Sequence, residues 1–208
     1  MICLQNVIPA LRVKDITIFD LLDQEFHYGE FVVFPKLAAY LGRIAGIPKK
    51  DAQEIGRISE LVYLYAKVHS SVKEGTLEDA GFRSSAQMPI LLGDLFLGRF
   101  YRTLAECEKE NCLPVYLDYM KALNSHAVDC LEAGNDPDES YRMLLAKTVA
   151  QAIEILAGDG SSDGQSLQNA AEIYLQEQWP LLYGERITTL AELDSRLQAE
   201  MFLGILQC

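Results

Sequence analysis

Hydrophobic residues along this chain recur mostly at three- and four-residue intervals. Ile55, Ile58, Leu61, Val62, Leu64, Tyr65 and Val68 form one such stripe. Tyr141, Leu144, Leu145, Thr148, Val149, Ala152, Ile153 and Leu156 form another. This period puts side chains on one face of an α-helix. The run Ile90–Leu104 is apolar on nearly all sides, which predicts a central, enclosed helix. Punctuation agrees with the period. Asp136-Pro137 offers an N-cap with proline at the first helical position, and Thr189 with Glu192 fits a capping box. Gly46 and Pro48 separate two helices, and Gly158–Gly164 reads as a loop between two more. No pair of alternating strands joined by a hairpin turn stands out. The pattern predicts about eight helices, near 15–28, 31–45, 51–73, 86–110, 114–133, 138–157, 165–182 and 189–206, forming one all-α, single-domain helical bundle over 1–208.

Composition narrows the function classes. The net charge of −12 disfavours nucleic acid as a partner, because a phosphate backbone demands a basic face. It equally disfavours an anionic membrane surface. No uncharged apolar run approaches the roughly 18 residues of a membrane span. The N-terminus has no Lys or Arg before Arg12, so it does not read as a signal peptide, and a cytoplasmic location is expected. The five cysteines (Cys3, Cys107, Cys112, Cys130 and Cys208) are odd in number and irregular in spacing, and the histidines are scattered. Zinc and a disulfide framework are therefore poor readings, and reduced thiols are expected.

The stretch from Leu61 to Ala105 carries the candidate chemistry. An apolar helix runs into His69, followed by Gly75-Thr76-Leu77, Gly81 and Leu91-Leu92-Gly93-Asp94. This order resembles the centre of the trans-prenyl diphosphate synthases (polyprenyl synthetases). There a helix ends in His-Asp-Asp-x-x-Asp and the next opens with Leu-x-Gly-Asp. Ser70 and Ser71 stand here in place of the two leading aspartates, with Glu74 the nearest carboxylate. The family's second motif, Gly-x-x-Leu-Gly-x-Ala-Phe-Gln-x-x-Asp-Asp-x-x-Asp, is similar to the segment ending at Tyr183. Gln176 matches its Gln, while Trp179, Pro180 and Tyr183 fall where its three aspartates belong.

In such enzymes the departing pyrophosphate is neutralised by Mg²⁺ ions held by hard carboxylate oxygens. A serine hydroxyl is neutral and supplies no charge to hold a divalent ion. The diphosphate grips depart from the family in the same direction. Its Gly-Gly-Lys-Arg-x-Arg-Pro segment aligns with Tyr28–Pro35, where Glu30, Phe31 and Val33 replace the basic residues. The basic pair beyond the first motif falls on Glu78 and Asp79, which would repel a phosphate. Lys147-Thr148 resembles the family's Lys-Thr that faces the diphosphate, although Lys147 also reads as a lysine snorkelling from a buried helix.

The resemblance runs from about Tyr28 to Tyr183, and beyond it only one helix, Thr189–Leu206, is expected, so the resemblance implies an isoprenoid-synthase-like bundle truncated at its C-terminus. It implies no catalytic residue and no metal in this chain, with Mg²⁺ expected only in a catalytic partner. His69, Lys147, Thr148 and Gln176 would be vestiges of the substrate site. The implied function is a non-catalytic subunit that pairs with a catalytic prenyl diphosphate synthase, or self-associates, in making a polyprenyl side chain. The helix Ile90–Leu104 is the candidate interface. Two other readings stay open. One is an active prenyltransferase whose metal site is rebuilt from Glu74, Asp94, Glu172 or Glu177. The other is a helical protein that holds a prenyl or other lipid chain without chemistry. Residue by residue, plainer expectations stand alongside. His69 reads as a hydrogen-bonded core histidine and Asp94 as a structural acid near a helix start. Phe96, Phe100 and Tyr101 read as core, Cys107 and Cys112 as ordinary thiols, and the Glu and Lys residues of 106–110 as a solvated face.

Overall fold

The fold was analysed in a computed structural model, which describes residues 12–13, 16–21, 26–72, 80–133, 138–158, 164–183 and 186–202. Seven long helices form one all-α bundle: α1 (Gly29–Ala45), α2 (Lys49–Ser70), α3 (Ala80–Glu106), α4 (Leu113–Ala133), α5 (Asp138–Ala157), α6 (Gly164–Leu182) and α7 (Leu190–Phe202). Two small antiparallel ladders accompany them. Strand β1 (Arg12–Val13) pairs with β2 (Ile16–Thr17), and β3 (Phe26–His27) pairs with β4 (Arg186–Ile187).

Most helix boundaries fall within a few residues of those the periodicity predicts. Gly46 and Pro48 do separate α1 from α2. At the start of α7, the Glu192 N–H donates to Thr189 Oγ1 at 3.2 Å, and the Glu192 carboxylate accepts from the Thr188 N–H at 3.2 Å, which is the expected capping box shifted by one residue on its return bond. Asp136-Pro137 lies outside the described residues. The segment 15–28 is not one helix. It holds β2, a single helical turn (Ile18–Leu21) and β3, and the expectation of no hairpin is corrected with it. β-Branched Ile16 and Thr17 favour a strand, and so short a stretch leaves the helical period ambiguous.

α2 is the central helix. It packs against α1, α3 and α5, and every residue from Ala52 to Leu64 is buried. Its mixed sequence, with Glu54, Arg57 and Glu60 among the apolar residues, gives little hint of this. Burial is tolerable because most of the polar atoms are partnered. Arg57 Nη2 donates to Thr103 Oγ1 (3.3 Å), Ser59 Oγ meets Tyr116 Oη (2.7 Å), and Glu54 takes Lys109 (3.3 Å). The expected solvated face at 106–110 holds for Glu106, Glu108 and Glu110, which are exposed, but not for Lys109. The chain turns after α3 through a left-handed Glu108 and tucks Lys109 between Asp51 (2.6 Å) and Glu54.

The expected enclosed helix, Ile90–Leu104, is not enclosed. α3 packs chiefly on α2, through Leu92, Phe96, Phe100 and Leu104. On its outer face Ile90 is 42%, Leu91 61% and Tyr101 43% exposed, so Tyr101 is not core. A largely apolar helix reports a preference for burial. It does not report whether its own chain supplies the cover.

Candidate functional site

Helix directions bring the two motif regions to one end of the bundle. α1 runs antiparallel to both α2 and α6, so its N-terminus lies beside their C-termini. Gly29 makes the approach to α6 possible, because a Cβ there would come within 2.8 Å of the Leu182 carbonyl oxygen. One turn of sequence from Gly29 lie Glu30 and His27, the hub of this end.

Glu30 is completely buried, and its two carboxylate oxygens are both engaged. Oε1 takes the Lys67 ammonium at 2.5 Å and the Tyr63 hydroxyl at 3.2 Å. Oε2 accepts the His27 backbone N–H at 2.8 Å. Lys67 is nearly as buried as its partner, with 9% of its side chain exposed. A buried carboxylate and ammonium are tolerable only when paired and hydrogen-bonded in this way. The pair was legible in hindsight as two lone, opposite charges within apolar runs, Phe31–Phe34 beside Glu30 and Leu61–Val68 around Lys67. The resemblance marks Glu30 only as the loss of a base and gives Lys67 no role.

His27 joins this pair to an aromatic ladder. Its Nδ1 donates to the Tyr183 carbonyl at 3.0 Å, since a carbonyl can only accept, and its ring stacks on the Tyr183 ring at 3.6 Å. Tyr183 meets Trp179 at 4.8 Å, and the Arg142 guanidinium of α5 lies 4.3 Å over the Trp179 ring. The β3–β4 ladder, which pairs His27 with Arg186, holds the first rung. Two of the three positions where the resemblance places the second motif's aspartates therefore hold aromatic rings with a cation laid against them, a cation–π arrangement. Pro180, at the third position, is exposed.

The first-motif positions point elsewhere. Ser70 Oγ donates to the Lys67 carbonyl (2.8 Å) and Ser71 Oγ to the Val68 carbonyl (2.7 Å), so both hydroxyls satisfy the last turn of α2. Glu74, Gly75-Thr76-Leu77, Glu78 and Asp79 lie outside the described residues. Half-buried His69 packs edge-on against α3 at Gly93, where a Cβ would overlap the imidazole. The glycine of the Leu-Leu-Gly-Asp segment is thus the socket for the histidine of the first motif. Tyr65 lies beside that ring, with centroids 4.6 Å apart. His69 Nε2 has no hydrogen-bond partner among the described residues, which corrects the expectation of a bonded core histidine. Burial lowers its pKa, and nearby Asp94 opposes the shift. Burial also raises the Tyr65 phenol, with Asp94 and Tyr101 adding to it. Asp94 itself is exposed and sits well inside α3 rather than near its start.

Lys147, Thr148 and Gln176, the positions that the resemblance implies as vestiges of a substrate site, are not gathered with this hub. Lys147 pairs with Glu172 of α6 at 2.9 Å on a half-exposed face. Thr148 donates to the Leu144 carbonyl of its own helix at 3.0 Å, and Gln176 is exposed. Glu177 is exposed as well. Cys107 and Cys112 are free thiols, and burial pushes Cys112 up to about 11. Among the described residues no group of three or more His, Cys, Asp or Glu side chains could hold a metal ion. No described helix is long and apolar enough to cross a membrane. Compared with known proteins, the chain matches no family model, no curated protein and no solved structure.

Proposed function

We propose that this chain is a non-catalytic subunit that associates with a catalytic prenyl diphosphate synthase, in an isoprenoid-synthase-like bundle that no longer handles diphosphate itself. The observation that carries the reading is the uncovered apolar face of α3. Ile90, Leu91 and Tyr101 are exposed on its outer side, with Asp94 and Arg102 exposed among them, and the space beside Gly98 is open. Exposed apolar patches of this kind mark association surfaces. The same helix is the candidate interface chosen from the resemblance.

The other end of the bundle supports the same reading. At Trp179, where the resemblance puts an acidic metal ligand, the Arg142 guanidinium lies against the ring. Positive side chains at such a place compete with a divalent ion. Glu172, one of the carboxylates from which an altered metal site would have to be rebuilt, is engaged by Lys147. No similar observation favours catalysis by the chain alone.

The test mixes the purified protein with a catalytic prenyl diphosphate synthase, Mg²⁺ and isoprenyl diphosphates. The chain alone is expected to be silent. The mixture is expected to form a complex and change the product length. Leu91→Asp is expected to abolish the complex while shifting stability by no more than about 0.5 kcal/mol, since Leu91 is solvent-facing. Turnover by the chain alone, or no association of the wild type with any synthase of its own source, overturns the reading.

A further inference from the structure

Roughly 20 Å along α1 from Glu30, at 1.5 Å per residue, the bundle has a second concave feature. It is a depression of about 490 Å³, within the size range of small-molecule sites. Lys36, Arg43 and Lys49 are the charged residues of its lining, and no acidic residue lines it among the described residues. In a chain of net charge −12, Arg43 and Lys49 beside one depression with no acid among its described lining residues are a local reversal of sign. The neighbouring acids are turned to other partners, Asp51 to Lys109 and Glu54 to Lys50 and Lys109. Neither Arg43 nor Lys49 is drawn into an ion pair among the described residues.

One wall is aromatic. Tyr40 of α1 and Tyr174 of α6 stack at 5.0 Å, with an interplanar angle of 26°. Burial, with Tyr40 adding and Arg43 opposing, pushes the Tyr174 phenol up to about 12, so it remains a hydrogen-bond donor at neutral pH. We infer that this depression is a binding site for a small organic phosphate, with Arg43 and Lys49 holding the phosphate and the tyrosine wall packing against its organic body. A phosphate monoester carries close to two negative charges at pH 7 and several acceptor oxygens. A guanidinium beside an ammonium matches both. Tyrosine combines an apolar ring with a polar tip, and so suits a ligand that has both parts. The inference is independent of the proposed subunit role, because it uses neither the α3 face nor the Glu30 end.

Calorimetric titration of the full chain at low salt with adenosine monophosphate, adenosine and inorganic phosphate tests it. Saturable binding of the monophosphate in the range of about 0.01–1 mM is expected. Adenosine should fail to bind, and inorganic phosphate should bind more weakly than the monophosphate. Arg43→Ala with Lys49→Ala should weaken the monophosphate at least about 10-fold, because charge-assisted hydrogen bonds are lost. Lys121→Ala, which removes an exposed lysine paired with Asp118 elsewhere on the surface, should change nothing. Both mutated cations are exposed, and circular dichroism checks that the double variant keeps its helices. No saturation by about 10 mM monophosphate, equal binding of adenosine or of inorganic phosphate, or full affinity in the double variant would overturn the assignment.

Discussion

Replacing Lys67 by methionine removes one member of the most deeply buried ion pair among the described residues and leaves Glu30 with only the Tyr63 hydroxyl and the His27 N–H. At 2.5 Å and an effective dielectric of about 20, the gross attraction of the pair is roughly 7 kcal/mol. Desolvation of the two ions offsets much of that. The cost of breaking a buried pair by deleting one partner is therefore about 3–5 kcal/mol, most of it the stranded charge. In a chain of this size each kcal/mol lowers Tm by about 2–4 °C, so Lys67→Met should lose roughly 6–20 °C. Glu30→Leu should cost a similar amount, since it removes the carboxylate that accepts from Lys67, the Tyr63 hydroxyl and the His27 N–H. The double variant Glu30→Leu/Lys67→Met should recover most of the loss, with a coupling energy of at least about 2 kcal/mol. Urea denaturation followed by circular dichroism at 222 nm, run on the wild type and all three variants, closes the cycle. The loss should persist in high salt, because a pair excluded from water is poorly screened. A Lys67→Met cost below about 1 kcal/mol, or additive single variants, would refute the view that this pair holds the end of the bundle.

Other outcomes follow from single contacts. Gly93→Ala places a methyl in the His69 ring and should cost about 1–3 kcal/mol in thermal denaturation, with most of the loss restored in Gly93→Ala/His69→Ala. Glu60 is buried with Oε2 unpartnered among the described residues, and that burial, opposed by Arg57, raises its pKa well above the ordinary value. Its folded form holds the proton more tightly than the unfolded chain does, so the wild type loses stability as pH rises above about 4.3. Glu60→Gln should therefore stabilise the protein at pH 7–8 and do so less at pH 4, as read from urea midpoints at each pH. His69 has the opposite sign. Its folded pKa is lowered, so its contribution is present above the unfolded value of about 6.5 and is lost as pH falls through that range. A pH series on His69→Gln should flatten that loss. Thr189→Ala should cost about 1 kcal/mol through its cap on α7, measured by the same denaturation.

The helices themselves were legible because their signals are local. The stripe from Ile55 to Val68 and the cap at Thr189 each lie within one segment, and both describe what forms. The segment 15–28 was misread because its apolar residues are too few to separate a helical period from a strand. At the candidate site, sequence alone marked His69, Trp179 and Tyr183 through the resemblance. It did not reveal that Gly93 seats the histidine, or that Arg142 and His27 flank the aromatic rings. Those contacts join residues that lie far apart in the chain, and no spacing rule reaches across such distances.

Periodicity settled that this chain is helical and roughly where each helix starts and stops, because backbone hydrogen bonding and capping act within a few residues. Tertiary packing decided the rest. It made the charged, mixed helix α2 the buried centre and left the more apolar α3 with a bare face. It also matched Glu30 with Lys67 across two helices. Burial and ion pairing depend on which distant surfaces meet, and a sequestered charge such as Glu30 is tolerable only where the packing brings it a counter-ion. That condition applies to the whole bundle, not to any single segment of it.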